Sequence, residues 1–138
     1  HTASCAAGVA VQRIVEREGL VSRVARLGET FKSMLQTALG GIDEVGDIRG
    51  RGFFVGVELV QNAASKEPFP PENQLFAKIR RNTFERGLIC YPSGGNVDGK
   101  SGDTIILAPP YIAAEEHLFE IAETLAVSVK ASLMELRQ

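Results

Sequence analysis

The sequence is poor in the residues that build metal sites and disulfide frameworks. It has no tryptophan, two cysteines and two histidines in 138 residues. Cys5 and Cys90 lie far apart and form no framework, so a disulfide-rich secreted domain is excluded and a reducing, cytoplasmic location is expected. His1 and His117 stand at no ligand spacing from a cysteine, so the sequence predicts no metal site.

Long apolar runs and an excess of one charge are also missing. No apolar stretch approaches the roughly 20 residues that a membrane span needs. The first residues lack the basic region of a signal peptide. The formal net charge is -2, so the chain lacks the excess of positive charge that binding to nucleic acid or an anionic membrane needs. Lys78, Arg80 and Arg81, the nearest thing to a basic cluster, are interpreted as a solvated helix face. We therefore expect neither nucleic acid nor membrane as a partner.

An initiator methionine is absent as well. The chain opens at His1, where Thr2 or Ser4 could cap a helix whose small residues begin at once. A piece of a longer protein is the favoured interpretation of such a start, and a processed mature N-terminus is the alternative.

What the sequence does contain is the composition of one ordinary globular domain, residues 1–138. The hydrophobic fraction is 44% and the charged fraction is 23%. Hydrophobic periodicity predicts helices at residues 3–18, 21–38, 74–86 and 113–136. It predicts strands near 45–48 and at 53–60, 88–91 and 104–107. Few strands and long helices indicate an α+β fold, with a small, mostly antiparallel sheet and helices on one face.

Several local features refine this prediction. Phe53, Val55, Val57 and Leu59 alternate with other residues, which indicates one wholly apolar sheet face. The glycine-rich stretch 49–52 is interpreted as a bend or bulge, and Asn73 as the cap of the third helix. Cys90 is interpreted as a buried apolar residue and His117 as a surface residue. The glycine-rich loop 92–103 is either a binding rim or a flexible connection.

Five segments then resemble class III, pyridoxal-phosphate-dependent aminotransferases in order and spacing. They are HTASCAAGVAVQRIVEREGL (1–20), VGDIRGRGFFVGVELV (45–60), KEPF (66–69), RGLICYPSGG (86–95) and GDTIILAPPYI (102–112). Together they cover essentially the whole chain. The resemblance implies the C-terminal small domain of a fold-type I enzyme. In such an enzyme, the helix of residues 1–18 connects to a large cofactor-binding domain.

The resemblance also implies what this chain leaves to the rest of such an enzyme. The family's catalytic lysine, its acidic partner of the cofactor ring and its phosphate-binding threonine all precede the position of His1. None of the lysines here stands in the catalytic context, and Thr2 falls where the family usually has a proline. We therefore assign no catalytic, cofactor-binding or metal-binding residue. Pyridoxal phosphate is expected in the longer enzyme and not in this chain alone, which is expected to be inactive.

The family's small domain contributes walls to the substrate pocket, and the matching residues can be named. They are Tyr91, Ser93, Gly94 and Gly95 from the glycine-rich loop, Ile106, and Ala108, Pro109 and Pro110. Ile106 is a departure, because relatives that anchor an α-carboxylate have arginine three residues before the first proline of the pair. A guanidinium binds a carboxylate in a bidentate manner and isoleucine cannot.

The resemblance is therefore closer to the ω-amine:pyruvate branch. It implies transfer of an amino group from an amine or ω-amino acid to a keto acid such as pyruvate, by a homodimeric transaminase. An aminomutase or decarboxylase of the same family is one alternative. A non-enzymatic α+β module that oligomerises through its apolar helices is the alternative from another class.

Overall fold

Four helices and one four-stranded sheet make up the structure, a computed structural model that describes residues 1–137. The helices are α1 (Thr2–Arg17), α2 (Leu20–Leu39), α3 (Leu75–Glu85) and α4 (Glu115–Leu136). The strands are β1 (Val45–Arg51), β2 (Phe54–Leu59), β3 (Tyr91–Gly94) and β4 (Asp103–Leu107), and a short 3-10 turn spans Pro71–Asn73. The predicted α+β class is confirmed.

The sheet has the order β1-β2-β4-β3, and each neighbouring pair is antiparallel. Two hairpins build it, because β1 returns as β2 through Gly52 and Phe53, and β3 returns as β4 through residues 95–102. The interpretation of residues 49–52 as a bend or bulge is wrong for most of that stretch. β1 runs straight through Arg51, Gly52 makes the turn with a positive φ of 57°, and the register shift lies between Val45 and Asp47.

The core lies on one face of the sheet. Phe53, Val55, Val57 and Leu59 are all buried there, which confirms the predicted apolar face. They pack in one cluster with fully buried side chains of α2 and α4 such as Phe31 and Leu125. Helix α4 buries Leu118, Leu125, Val129 and Ser132 of its predicted stripe and half-buries Ile121 and Leu136.

The third strand lies further along the chain than its sequence indicates. Residues 88–91 were predicted as a strand, but β3 begins at Tyr91 and continues into the glycine-rich segment. Pairing decides this, because Tyr91 lies opposite Ile106 and Gly94 lies opposite Asp103 in β4. Pro92 is tolerated because β3 is an edge strand, where a missing N–H breaks no ladder on the outer side.

Helix α3 begins differently from the prediction. Asn73 does not cap it; the residue ends the 3-10 turn, and the helix starts two residues later at Leu75. The cap comes from β4, where Asp103 Oδ1 accepts a hydrogen bond of 2.9 Å from the Phe76 N–H. A distant carboxylate therefore satisfies a free amide of the first turn, which no local motif could indicate.

Asp103 should make the stability of the fold depend on pH. Burial raises the pKa of its carboxyl, and the Phe76 N–H opposes this with a smaller effect. A folded pKa above the unfolded value means that the fold holds the proton more tightly. The contribution of Asp103 is therefore present below its unfolded pKa and lost as the pH rises through its folded pKa. Asp103→Asn keeps an acceptor for Phe76 and removes the buried charge.

We expect the free energy of unfolding of Asp103→Asn at neutral pH to equal or exceed that of the unmodified chain. It should also fall less steeply as the pH rises. The measurement is urea unfolding at steps between about pH 4 and pH 8. Asp98 is the control, because backbone N–H groups of Ser101 and Lys100 lower the pKa of its exposed carboxyl. The contribution of Asp98 to stability is therefore lost as the pH falls, so Asp98→Asn should reduce the loss of stability at low pH. An unchanged slope in Asp103→Asn would contradict the assignment.

Helix α1 lies outside the core. None of its residues is buried, and Gly19, at a positive φ of 58°, separates it from α2. Val9, Val11 and Ile14 are exposed, and so is Val21 at the start of α2, which was expected in the apolar stripe and is 66% exposed. None of the described helices combines the length and the hydropathy that a membrane crossing needs.

Candidate functional site

The sheet face that points away from the core is the candidate site, and we refer to it as the open face. Directly paired residues of neighbouring strands point to the same side of a sheet. One such row runs Arg49, Gly56, Ile106, Tyr91, and the next runs Asp47, Glu58, Thr104, Ser93. Phe54, paired with Arg51, adds an exposed aromatic ring at one end.

The structure brings three of the expected pocket residues together on the open face. Tyr91 lies directly beside Ile106, and Ser93 lies in the neighbouring row opposite Thr104. Gly94 lies on the opposite side of the strand, where a Cβ would come within 2.7 Å of the Phe76 ring of α3. Gly94 therefore serves close packing between β3 and α3, while Tyr91 and Ser93 present side chains to the open face.

Gly95 opens a hairpin loop with internal hydrogen bonds. Its N–H donates to Gly102 O at 2.9 Å, and the Val97 N–H donates to Ser101 O at 3.0 Å. Asp98 Oδ1 accepts from the backbone N–H groups of Lys100 and Ser101. These hydrogen bonds make the loop an ordered hairpin connection, and its role as a binding rim stays a prediction.

The remaining expected residues follow β4, in a stretch that we call the proline segment, residues 108–113. Ala108 and Pro110 are exposed and Pro109 is half-buried. The segment ends in a turn in which the Ala113 N–H donates to Pro110 O at 2.8 Å. Tyr111 and Ile112 point to solvent, so Ala113 is the one side chain of this turn that is buried.

Sequence reasoning missed the charged part of the open face. Arg49 Nη1 donates to Asp47 Oδ2 at 3.0 Å and also to Glu58 Oε2. These bonds raise the pKa of Arg49 above its usual value. The guanidinium is already shared between two carboxylates, so it is not a free anchor for an anion. Strand alternation, which places residues 47, 49 and 51 on one side, was the available signal.

Gly56 leaves a gap in the side-chain layer between Arg49 and Ile106. A Cβ there would meet only Thr104 and the Arg49 carbonyl, at ordinary distances of 3.8 and 3.9 Å. The open face therefore offers a shallow surface with an aromatic and apolar side at Tyr91 and Ile106 and an ion-paired side at Arg49. In the adjacent row, Ser93 lies alongside Tyr91, and Thr104, which is buried, lies alongside Ile106.

The polar side chains in the two rows of the open face are carboxylates, hydroxyls and one guanidinium. No lysine, histidine or cysteine stands in the two rows of the open face. His117 is exposed at the start of α4, where its Nδ1 accepts from the Ala114 N–H. Cys90 precedes β3, and burial raises the pKa of its thiol. Residues 1–137 bring together no group of three potential metal ligands.

The open face does not by itself fit pyridoxal phosphate, which needs a lysine for its aldehyde and donors for its phosphate. The chain's lysines are Lys32, Lys66, Lys78, Lys100 and Lys130. None of them belongs to the open face, and Lys66 Nζ donates to the Gly46 carbonyl.

Comparison with known proteins gives a consistent result over nearly the whole chain. The family model "Aminotransferase class-III" matches residues 2–129. An uncharacterized aminotransferase of Schizosaccharomyces pombe is 38% identical over 136 residues, which is 99% of this chain and 30% of that protein. The taurine–pyruvate aminotransferase of Rhodobacter capsulatus is 32% identical over 129 residues, 94% of this chain and 28% of that protein.

Solved structures with a similar fold are also aminotransferases. The crystal structure of a Bacillus anthracis aminotransferase superposes with a TM-score of 0.85 at 32% identity. That match covers 94% of this chain and 28% of the other chain. The chain thus spans less than a third of the length of the proteins to which it is similar.

Proposed function

Because this chain belongs to the class III aminotransferases, we propose that its open face and proline segment form one side of the substrate pocket of a longer enzyme. That enzyme would transfer an amino group from an amine or ω-amino acid to a keto acid such as pyruvate. Its cofactor would be pyridoxal phosphate, which supplies an electron sink for amino-group chemistry. The lysine and the phosphate ligands would come from the part of the enzyme beyond this chain.

The observation that carries the proposal is the position of Ile106. It lies on the open face beside the exposed ring of Tyr91 and next to the gap above Gly56. An apolar side chain there makes a wall for the carbon chain of an amine and leaves a substrate carboxylate without a cation. The taurine–pyruvate aminotransferase among the relatives is consistent with a terminal amine and pyruvate.

The residues of this chain would bind and orient the substrate. Tyr91 and Ile106 would cover its apolar part, and the hydroxyl of Ser93 would offer a hydrogen bond. The Arg49 guanidinium would stay bound to Asp47 and Glu58 and present no free cation. The test is to assay the complete polypeptide that includes this segment with a panel of amines against pyruvate. Turnover only with donors that carry an α-carboxylate would contradict the branch that we propose.

The 138-residue chain alone should neither bind pyridoxal phosphate stoichiometrically nor transaminate. The reason is chemical, since the open face has no lysine for the cofactor's aldehyde. The measurement is absorbance in the region of about 410–430 nm, followed by borohydride reduction and mass analysis of the product. Free pyridoxal phosphate mixed with a Lys32→Met variant controls for random labelling of surface lysines. One lysine labelled in full would show that the cofactor site has been misplaced.

We also propose that α1 drives self-association of the isolated chain, in a protein that works in the cytoplasm as a homodimer. All residues of α1 lie outside the core, and Val11 and Ile14 face solvent one turn apart. The exposed apolar area of such a helix exceeds the few hundred Å² that the surface of a monomer usually carries in one patch. Sedimentation of the chain should show dimers or larger species at moderate concentration.

The matched variants for this prediction are neighbours in α1. Val11→Lys places a charge in the apolar stripe and should shift the chain towards monomer. Gln12→Lys adds the same charge to an exposed polar position next to it and should leave association unchanged. A monomeric unmodified chain, with α1 helical by NMR, would contradict the role of α1.

A further inference from the structure

Two walls of the proposed pocket are held from behind by arginines that reach main-chain carbonyls. We propose that Arg23 and Arg80 are positioning residues, Arg23 for the proline segment and Arg80 for β3. This inference rests on the proposed function only in naming these walls as parts of a substrate pocket. The hydrogen bonds themselves are independent of that function.

Arg23 joins the start of α2 to the proline segment. Its Nη1 donates to Tyr111 O at 2.6 Å, and its Nη2 donates to Ala113 O at 2.7 Å. Both carbonyls belong to the turn that follows Pro109 and Pro110, and that turn has otherwise one backbone bond and the small buried side chain of Ala113. A guanidinium whose two nitrogens serve two carbonyls fixes the path of the turn in a way that a single donor does not.

Arg80 joins helix α3 to strand β3 through a main-chain carbonyl in the same way. It was expected on a solvated face of its helix, and it is exposed, yet its Nη2 donates to Pro92 O at 2.9 Å. The same guanidinium lies 5.7 Å from the centre of the Phe76 ring, on which Gly94 packs. Because Pro92 lies between Tyr91 and Ser93 on an edge strand, this bond fixes the strand that presents both side chains to the open face.

The chain contains a natural reporter on each wall. It has two tyrosines, Tyr91 on β3 and Tyr111 in the proline segment. Tyr91 is 64% exposed and Tyr111 is 50% exposed. Uniform labelling with 3-fluorotyrosine therefore gives two fluorine NMR signals, one for each wall. Each can be assigned by the corresponding tyrosine-to-phenylalanine variant.

Arg23→Met keeps an unbranched side chain and removes the donors, and it should move or broaden the Tyr111 signal alone. Arg80→Met should affect the Tyr91 signal alone, so each variant is the control for the other. Arg80→Lys should restore the Tyr91 signal, since one donor suffices for one carbonyl. Arg23→Lys should restore the Tyr111 signal only in part, because one nitrogen replaces two. Arg26→Met, on the exposed side of α2, should move neither signal.

A merely structural role would change both signals together and lower the urea midpoint, and that result would overturn the proposal. So would two unchanged signals. If a methionine variant fails to fold, the leucine variant of the same arginine replaces it, with the same expected change in the signal of its own wall alone. Because no turnover is measured, an enzyme that failed to transaminate would refute the proposed function and leave this test standing.

Discussion

Replacing Gly28 with alanine is expected to lower the free energy of unfolding by about 3 kcal/mol, near the upper end for an overpacked core. Gly28 lies in α2 against the β1–β2 turn. A Cβ there would come within 2.4 Å of Gly52 Cα and 2.6 Å of Gly52 O. Both contacts are to backbone, so no side-chain rotation can relieve the clash. Gly52 is itself held at a positive φ, which leaves the turn little freedom to move.

The control is an alanine at another helical glycine. Gly8 lies in exposed α1, where an added Cβ meets nothing within 4 Å. Gly8→Ala should raise helix content, because alanine is favoured over glycine in a helix by about 1 kcal/mol. Urea unfolding followed by far-ultraviolet circular dichroism measures both variants. Equal midpoints for Gly28→Ala and Gly8→Ala would show that α2 and the turn are not packed as described.

The largest change in activity is expected from Ile106→Arg in the intact enzyme. The new guanidinium would project from the open face beside Tyr91, with room above Gly56. A charge-assisted hydrogen bond to a substrate carboxylate contributes about 1.5–3 kcal/mol. The ratio of kcat/KM for 4-aminobutyrate to that for an uncharged amine should therefore rise by about 10-fold to 100-fold.

Two controls separate this effect from a general disturbance of the pocket. Ile106→Met keeps an apolar wall and should leave the ratio unchanged. Ile106→Arg combined with Glu58→Gln tests capture of the new cation by the nearby carboxylate, which would mask the effect. If the unmodified enzyme already favours carboxylate-bearing donors by about tenfold, another arginine anchors them and the assignment of the branch fails. If Arg49 is that arginine, it has to leave Asp47 and Glu58.

The chain belongs to a family whose members it matches over less than a third of their length. Its own residues nevertheless form a complete core. Buried side chains of α2, α3, α4 and the sheet join in one cluster. The polar groups buried between α3 and α4 are paired as well, since Asn82 Nδ2 donates to Ser132 Oγ at 3.0 Å and to Glu135. This packing holds the sheet whose outer side is the open face.

Local periodicity was sufficient to predict the fold class and most of the core. The alternation at Phe53, Val55, Val57 and Leu59 and the helical stripe at Leu118, Leu125 and Val129 each lie within one element. A side chain's direction in a strand or helix depends only on its position in that element, so these residues could be assigned from the sequence. The order of segments was also enough to identify the family.

Local patterns of this kind could not predict contacts between segments that are distant in the sequence. The sequence by itself determined which residues are apolar, which elements form and which family they belong to. Only the tertiary structure decided where β3 begins, that Asp103 caps α3, and that Arg23 and Arg80 hold carbonyls of other segments. Strand register and side-chain reach fix these features, and both depend on residues that are far apart in the chain and meet only after it has folded.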